Sequence, residues 1–176
     1  ARTKNCKVVY AGSSSHHNGI YENPYTFSKD IGEQLCEMYY RVYGVETRIC
    51  RFYNVYGDSQ LTEGEYAAVV GIFLEQYKHN KPLTITGDGE QRRDFTHVDD
   101  IVDGMFLSMS KEFGTYELGS GVNYSINELA NMFGEDYPKE YIEERVGEAR
   151  ETLCKKPDLL LVKNNLEDYI KGEISE

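Results

Sequence analysis

Tyr25 and Lys29 stand four residues apart in "NPYTFSK", a spacing that puts both side chains on one face of a helix. An ammonium beside a phenol favours the phenolate. A phenolate can take the proton of a substrate hydroxyl while hydride leaves the same carbon, which is alcohol oxidation. The pair alone is a weak signal, because the chain holds 15 tyrosines and a motif needs its context. The context here is "GSSSHHNG", Gly12 to Gly19, which offers the hydroxyls of Ser13, Ser14 and Ser15 where a substrate oxygen would lie.

The elements that must position these groups are visible around them. "CKVVYAG" is a β-branched and aromatic run that opens into the serine loop, the pattern of a buried strand. From Pro24 the period changes: Ile31, Leu35, Met38 and Tyr39 recur at helical spacing, with Pro in the first turn and Gly44 at the stop. "VETRICRFYNVYG" reads as the next strand. Strand, long helix, strand implies parallel pairing by a right-handed crossover, with the active loops at the carboxyl ends of the strands.

Further along, residues 66–79 read as a helix, "PLTIT" as a strand and "GDGE" as a turn. Thr96 and Asp99 are spaced as a capping box before a helix, as are Ser125 and Glu128, and "GTYELGSG" reads as a strand between those helices. A boundary near Pro138 is expected to separate residues 1–137 from a C-terminal lobe, residues 138–176. The fold class is therefore α/β, a partial Rossmann-like parallel sheet with a smaller α+β lobe.

A net charge of −11 and a pI of about 4.9 argue against nucleic acid or an anionic membrane surface as partner. Any anionic ligand needs a local cluster of Arg or Lys. Cys6, Cys36, Cys50 and Cys154 are scattered without zinc spacing and read as free thiols of a cytoplasmic protein. The longest apolar run, residues 67–74, is too short to span a bilayer. His16 and His17 stand together without evident Cys or carboxylate partners in sequence, so no metal is expected.

"PYTFSK", "RFYNVYG" and "GDGEQRRDFTHVDD" occur in the order found in the NAD-dependent epimerase/dehydratase family of extended short-chain dehydrogenases, which the chain resembles from about Lys7 to Glu151. The resemblance implies a catalytic triad of Ser14, Tyr25 and Lys29, with Ser13 and Ser15 as neighbouring candidates for the hydroxyl. It implies NAD as cofactor, with Tyr25 and Lys29 at the nicotinamide ribose, and a nucleotide-diphosphate sugar as substrate. Arg93 and Arg145 match diphosphate-clamping arginines, a use suited to the guanidinium fork. Asn54 matches a diphosphate-contacting asparagine, and equally reads as a turn residue at a strand end.

Dehydratases of the family carry an Asp-Glu pair after the catalytic hydroxyl, where this chain has Ser15 and His16. The resemblance therefore points to a nucleotide-sugar 4-epimerase. No G-x-G-x-x-G occurs in the sequence, although the family binds its dinucleotide through such a turn. A front segment on the order of a hundred residues is expected to be missing. This leads to the expectation of an incomplete enzyme served by a homo-oligomer or complementing polypeptide at its open sheet edge. The alternatives are a non-catalytic nucleotide-sugar-binding module and a folded remnant.

Overall fold

The computed structural model describes residues 1–64, 67–144 and 147–175. In chain order its elements are β1 (Val8–Ser13), a 3-10 turn (Ser14–Asn18), α1 (Pro24–Tyr43), β2 (Thr47–Phe52), β3 (Val55–Tyr56), α2 (Val69–Lys78), β4 (Leu83–Thr86) and β5 (Arg92–Asp94). There follow β6 (Thr96–His97), α3 (Val98–Ser108), β7 (Gly114–Leu118), β8 (Asn123–Ser125), α4 (Ile126–Asn131), β9 (Lys139–Ile142) and α5 (Leu166–Ser175).

The main sheet has the order β1-β2-β7 with both pairings parallel, as the strand, helix, strand reading requires. Its core is Cys50, Ile101 and Leu118, with Val9, Phe52 and Met105 packed around them. α1 connects β1 to β2. Its Asn23 cap accepts from the Thr26 amide at 2.9 Å, and it stops at Gly44, whose left-handed φ of 65° suits glycine.

The helix lies opposite to its hydropathy. Ile31, Leu35, Met38 and Tyr39 face outward, together with Phe27 and Val42, while Thr26, Asp30, Glu33 and Cys36 meet the sheet. The polar face can be buried because its carboxylates find partners: Arg51 on β2 for Glu33 and His16 for Asp30.

The second core joins Tyr56, Val70, Phe73, Leu83, Ile85, Phe95, Leu129 and Phe133 to Leu166 and Ile170 of α5. β9 pairs in parallel with β4. A boundary at residue 138 thus cuts through this core, because the last forty residues supply a strand and a helix to elements on its other side. The Ser125–Glu128 capping box is present. The expected Thr96–Asp99 box is not: His97 caps α3, its Nδ1 accepting from the Asp99 amide at 3.2 Å, while Thr96 donates to Asp94. The helix expected over residues 66–79 is α2, and Tyr66 lies outside the described residues.

Two buried aspartates fasten the segment between β9 and α5. Asp94 accepts from the Cys154 amide at 2.9 Å, and Asp100 accepts from the Lys163 and Asn164 amides, both at 3.2 Å. Gly119 passes under this segment, and a Cβ there would stand 2.3 Å from Cys154 Cβ and 2.8 Å from Tyr53 Cδ2. Gly119→Ala is therefore expected to destabilise the fold by about 1–3 kcal/mol, read from urea denaturation. An unchanged midpoint would show that the segment yields freely.

All four cysteines are unpaired, and Cys36, Cys50 and Cys154 are buried. Among the described residues no helix is long and apolar enough to cross a membrane.

Candidate active site

The carboxyl ends of β1 and β2 open onto a cavity of about 410 Å³ lined by Ser13, Ser14, Ser15, Tyr25, Lys29 and Arg93, among others. β1 delivers the serine turn, and α1 presents Tyr25 and Lys29 one helical turn apart. The three residues of the expected triad are thereby brought to one space.

The three hydroxyls are not equivalent. Ser13 Oγ caps the 3-10 turn by accepting from the Ser15 amide, and its oxygen lies 2.9 Å from Ser15 Oγ. Among the described residues Ser14 makes no side-chain hydrogen bond. Its hydroxyl is the one left to a ligand. Tyr25 stands at the cavity mouth, about half exposed. The Lys29 ammonium donates to the Ala11 carbonyl at 3.0 Å and sits 5.8 Å from the ring centroids of both Tyr10 and Tyr25. β1 thus fixes the lysine, leaving two of its three donors for the cavity.

Arg93, nearly buried, donates to Glu148 Oε1 at 2.8 Å and to the Arg92 carbonyl at 2.9 Å. It also lines a second cavity of about 160 Å³, which shares Asn54, Val55, Arg93 and Glu148 with the first. The rest of that cavity is largely apolar, including Val70, Ile72, Phe95 and Ile126. The guanidinium stands at the waist between the two spaces.

Asn54 lines both cavities, yet its amide nitrogen already donates to the Asp94 carbonyl at 3.0 Å and to Thr152 Oγ1 at 2.9 Å. The structure uses it as a tie between segments, and its remaining side-chain oxygen is an acceptor unsuited to phosphate. Arg145 lies outside the described residues. Arg92 and Arg150, readable as plain surface charges, are both paired. Arg92 contacts Glu128 at 2.9 Å, and Arg150 forks onto Asp88, whose carboxyl its hydrogen bonds hold down at about 2.

A charge network below the serine turn was not legible beforehand. Arg51 contacts Glu33 at 2.7 Å and Glu117 at 3.3 Å, and Tyr53 donates to Glu117 at 2.9 Å. Burial, then that carboxylate, pushes the Tyr53 phenol far up, so it remains a donor. Glu148 was also missed, because no local pattern shows which acidic residue will meet Arg93.

Parallel strands with a cavity at their carboxyl ends define a Rossmann-like α/β protein. The chain belongs to the NAD dependent epimerase/dehydratase family, whose model matches residues 1–119. It is 34% identical over 147 residues to UDP-glucuronate 4-epimerase of Thermodesulfobacterium geofontis, covering 76% of this chain and 44% of that one. It is 34% identical over 145 residues to UDP-glucuronic acid decarboxylase 1 of Arabidopsis thaliana, covering 81% and 33%. The fold superposes on UDP-glucose 4-epimerase of Thermotoga maritima, solved with UDP-glucose, at a TM-score of 0.84 and 26% identity, covering 96% of this chain and 62% of that one. The chain spans less than half the length of the curated relatives it matches.

Proposed function

We propose that the chain is the substrate-side part of an NAD-dependent nucleotide-sugar 4-epimerase. The observation that carries this reading is the pair of cavities meeting at Arg93. A sugar in the larger cavity would face Ser14, Tyr25 and Lys29, the diphosphate would lie at the guanidinium, and a base would enter the apolar cavity. Glu148 occupies Arg93 and would give way to the diphosphate or share the guanidinium with it. Ser14 would bond the sugar oxygen that Tyr25 deprotonates.

The residues present fit only one end of NAD. Lys29 and Tyr25 would hold the nicotinamide ribose, and the bound cofactor would accept and return the hydride. The sequence contains no G-x-G-x-x-G turn for the pyrophosphate, so that end would be held by other polypeptide, added along the edge of β1 that is unpaired among the described residues. The outward apolar stripe of α1, Phe27, Ile31, Leu35, Met38 and Val42, supports a further covering partner, a second copy or a complementing polypeptide.

A binding module without chemistry is the second reading, resting on the same pair of cavities at Arg93. Calorimetric titration with UDP-glucose tests what the two readings share. Arg93→Ala is expected to weaken binding about 10- to 100-fold, with Arg93→Lys intermediate because it keeps the charge and loses the fork. Unchanged affinity in a folded Arg93→Ala variant would sink the diphosphate assignment.

A further inference from the structure

The serine turn is held from both sides by its own two histidines. His16 Nδ1 lies 2.9 Å from Asp30 Oδ1 of α1, and His17 Nε2 lies 3.0 Å from Glu117 Oε1 of β7. The two rings are nearly perpendicular, at 88°, so that consecutive residues reach in different directions. Asp30 directly follows Lys29, is itself buried, and takes Gln34 Nε2 on its other oxygen at 2.5 Å. Glu117 is fixed by Arg51 and Tyr53. Both acceptors are therefore rigid anchors for the turn.

His16, Asp30 and Glu33 bring their ligand atoms within 4.8 Å of one another, which invites a metal. The bonding speaks for a different use: Asp30 is taken by His16 and Gln34, and Glu33 by both ends of the Arg51 fork at 2.7 to 3.2 Å. Among the described residues the nitrogen of His16 that faces the group and both carboxylates are thus already engaged.

We propose that His16 and His17 are positioning residues, a two-sided latch that sets the Ser14 hydroxyl relative to Tyr25 and Lys29 by tying its turn to α1 and to β7. The link through Asp30 is the direct one, since it joins the serine turn to the helix that carries the other two groups. Carboxylates only accept, so the nitrogen facing each must bear a proton. His16 is thereby committed to Nδ1–H, and His17 to Nε2–H. The turn also has local support, from Ser13 Oγ, which takes the Ser15 amide at 3.2 Å and lies 2.9 Å from Ser15 Oγ, and from a long Gly19 N to His16 O contact at 3.4 Å, but these bonds do not tie it to α1 or β7.

The meaning of the latch for catalysis rests on the proposed site, but the latch itself is measured without substrate. Long-range proton–nitrogen spectra of the unmodified chain are expected to show a proton on His16 Nδ1. A neutral ring with bare Nδ1 would overturn the inference. Amide exchange at Ser15 and Gly19 is expected to quicken about 10- to 100-fold in His16→Ala and His17→Ala. His16→Asn and His17→Gln, which place an amide N–H near the lost ring donor, should restore most of the protection. Equal exchange in alanine and amide variants would mean the rings merely fill space, and would overturn it too. UDP-glucose titration of the same proteins separates the two ideas. If the parent does not bind, the assignment of the latched hydroxyl to a sugar site falls, while the spectra and exchange still decide the latch.

Discussion

Replacing Tyr25 by Phe is expected to slow hydride transfer by about 10²–10⁴-fold while nucleotide-sugar affinity is retained. The substitution removes one oxygen at the mouth of the cavity. It leaves Lys29 tied to Ala11, the serine turn and Arg93 in place, because none of their hydrogen bonds uses that phenol. Loss should therefore fall on the chemical step and spare the binding step. The assay follows reduced nicotinamide in protein provided with NAD and a dinucleotide-binding segment, fused or added separately. An undiminished rate would take Tyr25 out of the proton transfer. Binding without turnover in the parent protein as well would favour the binding module.

The second large effect concerns stability. Asp94 is completely buried and accepts from the amides of Ser120, Gly121 and Cys154 at 2.8, 3.0 and 2.9 Å, and from the Ser120 hydroxyl at 2.6 Å. Asp94→Ala strands the buried Cys154 amide, at a cost of about 1–3 kcal/mol, and removes the acceptor of the Ser120 and Gly121 amides, which lie nearer to solvent. A loss of about 1–3 kcal/mol is expected, a large part of the roughly 5–15 kcal/mol that holds a domain together. Asp94→Asn keeps one acceptor oxygen and should lose less. Guanidinium denaturation checks the order of the series. A cost below about 1 kcal/mol for alanine would mean that water replaces the carboxylate.

The sequence was most legible where local chemistry decides the outcome. Pro24 and Gly44 bracket α1, Ser125 and Glu128 cap α4, and the glycine-rich turn after β4 takes left-handed φ at Gly87 and Gly89. The serine, tyrosine and lysine converge because a parallel crossover delivers a strand end and a helix start to one place. What could not be read depends on distant partners. Periodicity placed the apolar stripe of α1 on one face but could not show that the sheet-facing side would be the polar one, since Glu33 needs Arg51 and Asp30 needs His16 to make that burial affordable. His97 displaced Thr96 as a cap by one residue, a margin local spacing does not resolve. The boundary near Pro138 failed because β9 pairs with β4 and α5 completes a core begun much earlier in the chain, neither of which local pattern reveals.

That last arrangement bears on how the chain is made. Tyr56, Phe73, Leu83 and Leu129 wait for Leu166 and Ile170 to close over them, and synthesis proceeds from the N-terminus. During translation the lobe's apolar slot stays open until α5 has left the ribosome, even though the β1-β2 pair and α1 can already have formed. Until then that slot is exposed apolar surface, open to chaperones or other nascent chains.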